Sequence, residues 1–153
     1  MDIDKLDQLI KNRAPAKEES QSKPKAKILV VDDAESIRRG LVSILSDYEV
    51  DTANNGKEAV DLFSANQKYA VIIMDALMPV MDGFKATKII KKISSKVPII
   101  MHTAYQDEHE ISKIVDLGLF GYVTKGAVEH CNGELIMPNI NILKQKVIEA
   151  IRL

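Results

Sequence analysis

Lys27-Ile28-Leu29-Val30-Val31-Asp32-Asp33 and Ala70-Val71-Ile72-Ile73-Met74-Asp75 decide the fold of this chain, because each is a short apolar run that ends abruptly on carboxylates. Two further runs, Val97-Pro98-Ile99-Ile100-Met101 and Leu119-Phe120-Gly121-Tyr122-Val123, are followed within two residues by Thr103 and Lys125. Runs so short and so rich in β-branched residues read as parallel strands buried on both faces, not as helices. In an open α/β sheet, ligands bind beyond the carboxyl ends of the strands. The polar residues closing four separate runs are therefore expected to converge on one site.

A second strand fits Tyr48 to Ala53, and helical spacing fills the intervals between strands. It appears in Ile37, Leu41, Ile44 and Leu45, in Ala59, Val60, Leu62 and Phe63, in Phe84, Ile89, Ile90 and Ile93 after Gly83, and in Ile111, Ile114 and Val115. Asn55-Gly56 precedes the second of these and Gly118 stops the last. A final helix, with Pro138 at its first turn, carries Ile140, Leu143, Val147, Ile148 and Ile151. Right-handed crossovers make this alternation an α/β, doubly wound, five-stranded parallel sheet with the flavodoxin-like strand order 2-1-3-4-5 and helices on both faces.

With 153 residues, 46% of them hydrophobic, the chain is long enough for a full core. Its net charge of -1 exerts no global pull towards nucleic acid or a membrane surface. The single cysteine, Cys131, cannot form an internal disulfide, and the charged N-terminus lacks the apolar core of a signal peptide, which together favour a reducing cytoplasm. No apolar stretch approaches the roughly 20 residues of a membrane-spanning helix. Residues 1–26 read as an N-terminal extension: Ile3, Leu6, Ile10 and Leu9 line one side of a short helix, and six Lys or Arg between Lys11 and Lys27 accompany Pro15 and Pro24 in a flexible basic linker. This tail is either solvated or a basic arm or docking peptide. Residues 27–153 form the body, with an extended loop over 126–137.

The residues quoted above resemble a known family, the phospho-acceptor receiver domain of bacterial two-component signalling, whose fold is that of chemotaxis-type response regulators. The resemblance runs from Lys27 to Lys125 and resumes in the last helix. It rests on Val30-Val31-Asp32-Asp33, on Met74-Asp75-Ala76-Leu77-Met78-Pro79-Val80-Met81-Asp82-Gly83, on Thr103-Ala104 and on Tyr122-Val123-Thr124-Lys125, in that order on successive strand ends.

The resemblance implies that Asp75 is the phospho-acceptor, forming an aspartyl phosphate. A carboxylate and a phosphoryl group are both negative, so their approach requires cations at close range. The resemblance assigns Mg²⁺ to Asp33, Asp75 and the backbone carbonyl of Leu77, with Asp32 acting largely through water, and it assigns Lys125 to a phosphoryl oxygen. Magnesium suits such a set, since it takes oxygen ligands and keeps several waters. Thr103 and the aromatic Tyr122 become a switch pair that biases a two-state equilibrium, changing the surface of the helix after the fourth strand, the fifth strand and the last helix. Leu77 and Tyr105 become positions that tune the lifetime of the phosphorylated state by hindering water. The implied partners are a histidine kinase or histidine phosphotransfer protein and a downstream protein target, with no nucleic acid and no membrane insertion. With the last helix closing at Leu153, the signal is expected to pass by docking, unless the chain is a piece of a hybrid kinase or longer regulator.

Plainer readings exist for each residue. Asp32 and Asp33 could cap the first helix of the body, Asp75 could be a strand-end carboxylate in a polar loop, Lys125 a surface lysine, and Tyr122 a half-buried strand aromatic. For Asp82-Gly83 turn and cap chemistry suffices. Two departures from the family pattern stand out. The family's lysine is normally followed by proline, often through a cis bond, whereas here Gly126 follows and gives the loop backbone freedom. The stretch between Gly126 and Met137, with His130, Cys131, Asn132 and Gly133, is longer than usual and reads as a mobile loop or a partner contact. His130 and Cys131 with the distant His109 are too sparse for a metal site.

Rival functions meet specific obstacles. A haloacid-dehalogenase-type phosphatase needs a second carboxylate two residues after the first, and position 77 is Leu. A flavodoxin needs a phosphate-cradling loop after the first strand, where Asp32-Asp33-Ala34-Glu35 would repel phosphate. A receiver-like interaction module that works without phosphorylation differs only in its chemistry, so the sequence leaves it open; otherwise the reading is of a signalling phospho-acceptor rather than an enzyme acting on a separate substrate.

Overall fold

The structure, a computed structural model, describes residues 2–12, 23–104, 112, 114–126 and 129–153. Five strands, β1 (Lys27–Val31), β2 (Glu49–Ala53), β3 (Tyr69–Met74), β4 (Ile99–Thr103) and β5 (Gly121–Thr124), form one parallel sheet in the order β2-β1-β3-β4-β5. The doubly wound α/β architecture and strand order expected from the sequence are those observed. The described helices are α1 (Ile3–Lys11), α2 (Glu35–Ile44), α3 (Gly56–Ala65), α4 (Gly83–Ile93) and α5 (Ile140–Ile151). Of the helix expected around Ile111, Ile114 and Val115, Ile111 lies outside the described residues, as do most of the basic linker and His109.

Strand alternation splits the core in two. Leu29, Val31, Ile72, Met74, Ile99 and Met101 pack with Ala59 and Phe63 of α3 and Ala86 and Ile90 of α4. Their neighbours Ile28, Val30, Val71, Ile73, Ile100 and Val123 pack on the other face with Ile37 and Leu41 of α2 and Leu143, Val147 and Ala150 of α5. Successive side chains point to opposite faces, so a sheet covered on both sides demands continuous apolar runs. At about 25 cal/mol per Å² of apolar surface removed from water, these two layers supply the main drive to fold.

Element boundaries depart from the apolar runs at β4 and β5, which start two residues later than the runs do. Pro98 has no N–H to give to a ladder, although its carbonyl accepts from Ile72 at 3.0 Å. Gly118, at φ 65°, makes the turn that precedes β5. Local capping follows the sequence more closely. Asn55 accepts from Glu58 N–H at 2.9 Å and Asp82 from Lys85 N–H at 2.8 Å, satisfying helix-start donors of α3 and α4. By contrast Ala34 holds the cap position of α2, so neither Asp32 nor Asp33 is its cap residue. Ile3, Leu6, Leu9 and Ile10 of α1 are all exposed, and among the described residues no helix is long and apolar enough to cross a membrane.

The stretch read as an extended, mobile loop over 126–137 instead contains an antiparallel hairpin, β6 (Glu129–Cys131) and β7 (Glu134–Ile136). Its two-residue turn is Asn132-Gly133, with φ of 52° and 80°. Both central residues of a type I′ turn need positive φ, which Asn-Gly supplies, and its twist matches that of the paired strands. The hairpin is anchored on α2 through Leu135: a β-carbon at Gly40 would stand 2.8 Å from Leu135 Cδ2. The absence of a side chain at position 40 therefore makes the seat for Leu135.

Between β3 and α4 the chain turns sharply. Met81 N–H donates to the Pro79 carbonyl at 2.8 Å across Val80, whose φ is 70°. This is a γ-turn with a β-branched residue at positive φ, a strained combination. Val80 is 82% exposed, so its side chain gains no burial there. Replacing Val80 with Gly, which adopts positive φ with no Cβ to clash, is expected to raise stability by about 1 kcal/mol, read as a higher denaturant midpoint at unchanged slope.

Candidate functional site

The acids stand where backbone bonds continue just past the strands. Asp32 N–H donates to the Ala53 carbonyl at 3.1 Å, Asp75 N–H to the Val31 carbonyl at 2.9 Å, and Lys125 N–H to the Thr103 carbonyl at 2.9 Å. Asp32, Asp75 and Lys125 are thus each held by the end of the neighbouring strand. Side-chain oxygens of Asp32, Asp33 and Asp75 all lie within 4.8 Å of one another. Asp32 and Asp75 are buried whereas Asp33 is exposed, so the cluster opens to solvent on one side.

Lys125 is 7% exposed and spans the pair, its Nζ 2.5 Å from Asp32 Oδ2 and 3.1 Å from Asp75 Oδ2. Burying one ammonium against two carboxylates compensates charges that could not otherwise leave water. Asp32 is further tied down, its Oδ1 accepting from Ala34 N–H at 2.9 Å and its carbonyl from Arg38 at 2.7 Å. Thr103 closes β4, and its side chain hydrogen-bonds Asp75.

Burial pushes the carboxyl pKa of Asp75 up to about 6, the charge of Asp32 adds to the rise, and Lys125 and Thr103 oppose it. Asp32 is also raised, again chiefly by burial, with Lys125 pulling the other way. For Lys125 burial disfavours the charge, but its bonds to Asp32 and Asp75 outweigh that and hold its pKa above the ordinary lysine value. These are the signatures of a site short of positive charge.

Gly83 contributes what its spacing alone did not convey. A β-carbon there would lie 1.9 Å from the Asp75 carbonyl oxygen, so α4 can start against the main chain of the buried acid only with glycine at this position. Gly83 N–H also donates to the Ala76 carbonyl at 2.8 Å. Tyr122 on β5 pairs in register with Met101 and is half-buried, packed against the α3–α4 layer. Leu77, two residues past Asp75, is 53% exposed. Tyr105 lies outside the described residues. His102, which no motif in the sequence marks, is buried with its Nδ1 unpartnered, and burial followed by the charge of Lys125 lowers its pKa to about 4.

A doubly wound parallel sheet with three acids, a threonine and a lysine at the ends of β1, β3, β4 and β5 defines a protein of the receiver class. The family model of the response regulator receiver domain matches residues 28–130, and the chain belongs to that family. It is 39% identical over 100 residues to the chemotaxis protein CheY of Halobacterium salinarum, covering 64% of this chain and 82% of that protein. It is 39% identical over 101 residues to the regulatory protein AtoC of Escherichia coli, but covers only 22% of AtoC against 65% of this chain. Among solved structures, response regulator protein TrrA of Thermotoga maritima, in complex with Mg(2+)-BeF, superposes with a TM-score of 0.66 at 35% identity, covering 82% of this chain and 98% of that one. Receiver domains are signalling phospho-acceptors of two-component systems that bind Mg²⁺ at an acidic pocket and interact with histidine kinases and downstream effectors.

Linkage gives the site a pH signature. Because the folded pKa of Asp75 lies above the ordinary carboxylate value of 3.8, the folded state keeps a proton between about pH 4 and 6 that the unfolded chain has released. The ionised group therefore lowers stability progressively as pH rises through that window. His102 acts in the opposite sense, its contribution being complete above pH 6.5 and lost as pH falls towards 4. In chelator, Asp75→Asn is expected to melt higher than wild type at pH 8, by on the order of 5 °C, with the gap closing towards pH 4. Identical melting temperatures across this range would contradict the buried-charge account.

Proposed function

We propose that this protein accepts a phosphoryl group on Asp75 in a Mg²⁺-dependent reaction and passes on the signal by a conformational switch to a protein partner. The observation that carries the reading is the burial of Asp75 at a strand end with Asp32 and Asp33 on one side and the ammonium of Lys125 bridging Asp32 and Asp75. A carboxylate oxygen of Asp75 attacks phosphorus. The bond from phosphorus to the donor atom breaks, and the leaving group takes the electron pair. With a pKa near 6, Asp75 is mostly in its nucleophilic, ionised form at pH 7 and above.

Asp32, Asp33 and Asp75 present hard oxygen donors within a few ångströms of each other, a set that fits Mg²⁺. These three, with the Leu77 carbonyl, would hold the ion, which when bound neutralises negative charge on the transferring group. Lys125 then turns its ammonium to a phosphoryl oxygen, and Thr103 exchanges its bond to Asp75 for one to the same group. Tyr122, half-buried on the adjacent strand, follows into the space that Thr103 leaves. The donor is a histidine kinase or histidine phosphotransfer protein, and the recipient of the signal is a downstream protein.

Incubation with acetyl phosphate and Mg²⁺ is expected to add one phosphoryl group to wild type by intact mass, and none to Asp75→Ala or to wild type in chelator. Wild type that takes no phosphate under these conditions would make the protein a phosphorylation-independent interaction module. Leu77 and Tyr105 slow loss of the group by crowding the attacking water. The pair Leu77→Asn and Tyr105→Glu is expected to speed decay of the phosphorylated form about ten-fold, measured by mass after removal of the donor. An unchanged half-life would remove both residues from that role.

A further inference from the structure

Lys125 leads into a backbone that nothing in its own sequence stiffens. Gly126 follows at φ 68°, a conformation with no intrinsic rigidity, yet the lysine is buried and paired with two acids. Something outside the loop must hold the strand end from which Lys125 projects.

We propose that Asn139 is a positioning residue for Lys125, clamping the end of β5 to the start of α5. Asn139 Nδ2 donates to the Thr124 carbonyl at 2.7 Å and to Thr124 Oγ1 at 2.9 Å. Thr124 immediately precedes Lys125, whose own N–H is fixed to Thr103. The peptide unit between residues 124 and 125 is therefore pinned from both sides, its carbonyl by Asn139 and its N–H by β4. Asn139 holds the cap position of α5 but makes no capping bond with its side chain; the amide is committed to Thr124. Pro138 adds a second restraint, with its Cγ 3.3 Å from where a β-carbon on Gly126 would stand. The donors and acceptors are part-buried, where an unmade bond is expensive, so the clamp holds more firmly than the same pair in water.

The clamp also explains how a hairpin can be accommodated between Lys125 and α5. The hairpin rests on α2 through Leu135 and Gly40, and Asn139 closes the excursion by returning the chain to the strand it left.

The inference rests on Lys125 being the cation beside the acceptor, but its test reads the lysine directly. In the full chain, in chelator and without any phosphodonor, amines are acetylated with acetic anhydride and each lysine is quantified by peptide mass. Asn139→Asp is the informative variant. It keeps the shape and is a good helix cap, but it has no N–H and sets a carboxylate against the Thr124 carbonyl. Lys125 is expected to label about five-fold faster than in wild type, with exposed Lys144 on α5 unchanged as the internal control. Thr124→Val, which deletes one acceptor and keeps the other, is expected to fall between wild type and Asn139→Asp, and it decides the matter if the aspartate variant does not fold. Unchanged labelling of Lys125 in both variants overturns the proposal. A loss confined to helix capping would leave Lys125 at its wild-type rate and overturns it too. If the labelling rises while wild type takes no phosphate from acetyl phosphate, the clamp stands and the phospho-acceptor reading falls.

Discussion

Everything at the top of this sheet is organised by the ammonium of Lys125 lying between two buried carboxylates. Two acids at such range, both out of water, repel each other and resist ionisation, which is why burial and mutual charge raise Asp75 to about 6. One positive charge offsets part of this and leaves a deficit that a divalent cation would fill. The chemistry proposed for Asp75 depends on that deficit: a pocket already neutral would have no reason to draw in a metal ion and a phosphoryl group together.

Placing these charges required the backbone to come unusually close. Gly83 lets α4 begin directly against the Asp75 carbonyl, and the γ-turn at Val80 brings the chain round in time to do so. Gly56 serves the same junction from the α3 side, its N–H donating to the Met81 carbonyl at 2.9 Å. Strain at Val80 and missing side chains at two glycines are thus local concessions that fix the loop beyond β3, while the two apolar layers beneath supply the stability that permits them.

The legible and the illegible parts of the sequence differ by the range of the interaction that settles them. Apolar runs ending on Asp32, Asp33 and Asp75 could be read directly because strand burial and strand-end chemistry are each written in a few consecutive residues. The hairpin could have been found the same way: Asn132-Gly133 between Glu129–Cys131 and Glu134–Ile136 is a strong turn signal. It was outweighed by the polar composition of the stretch, since the two glycines and His130 suggest a loop until the pairing partner is considered. The apolar runs begin two residues before β4 and β5 because burial of Val97 or Leu119 says nothing about which N–H groups find partners.

Layer order, family and the identity of the residues gathered at the strand ends are therefore legible along the chain, because period, punctuation and residue chemistry are local properties. How those residues are held emerges only once the chain has folded. The bridge from Lys125 to Asp32 as well as Asp75, the seat for Leu135 at Gly40, the approach of Gly83 to Asp75 and the grip of Asn139 on Thr124 each join positions distant along the chain or invisible to periodicity. A contact of that kind is a matter of distances between side chains and backbone after the sheet has closed, and no local pattern encodes it.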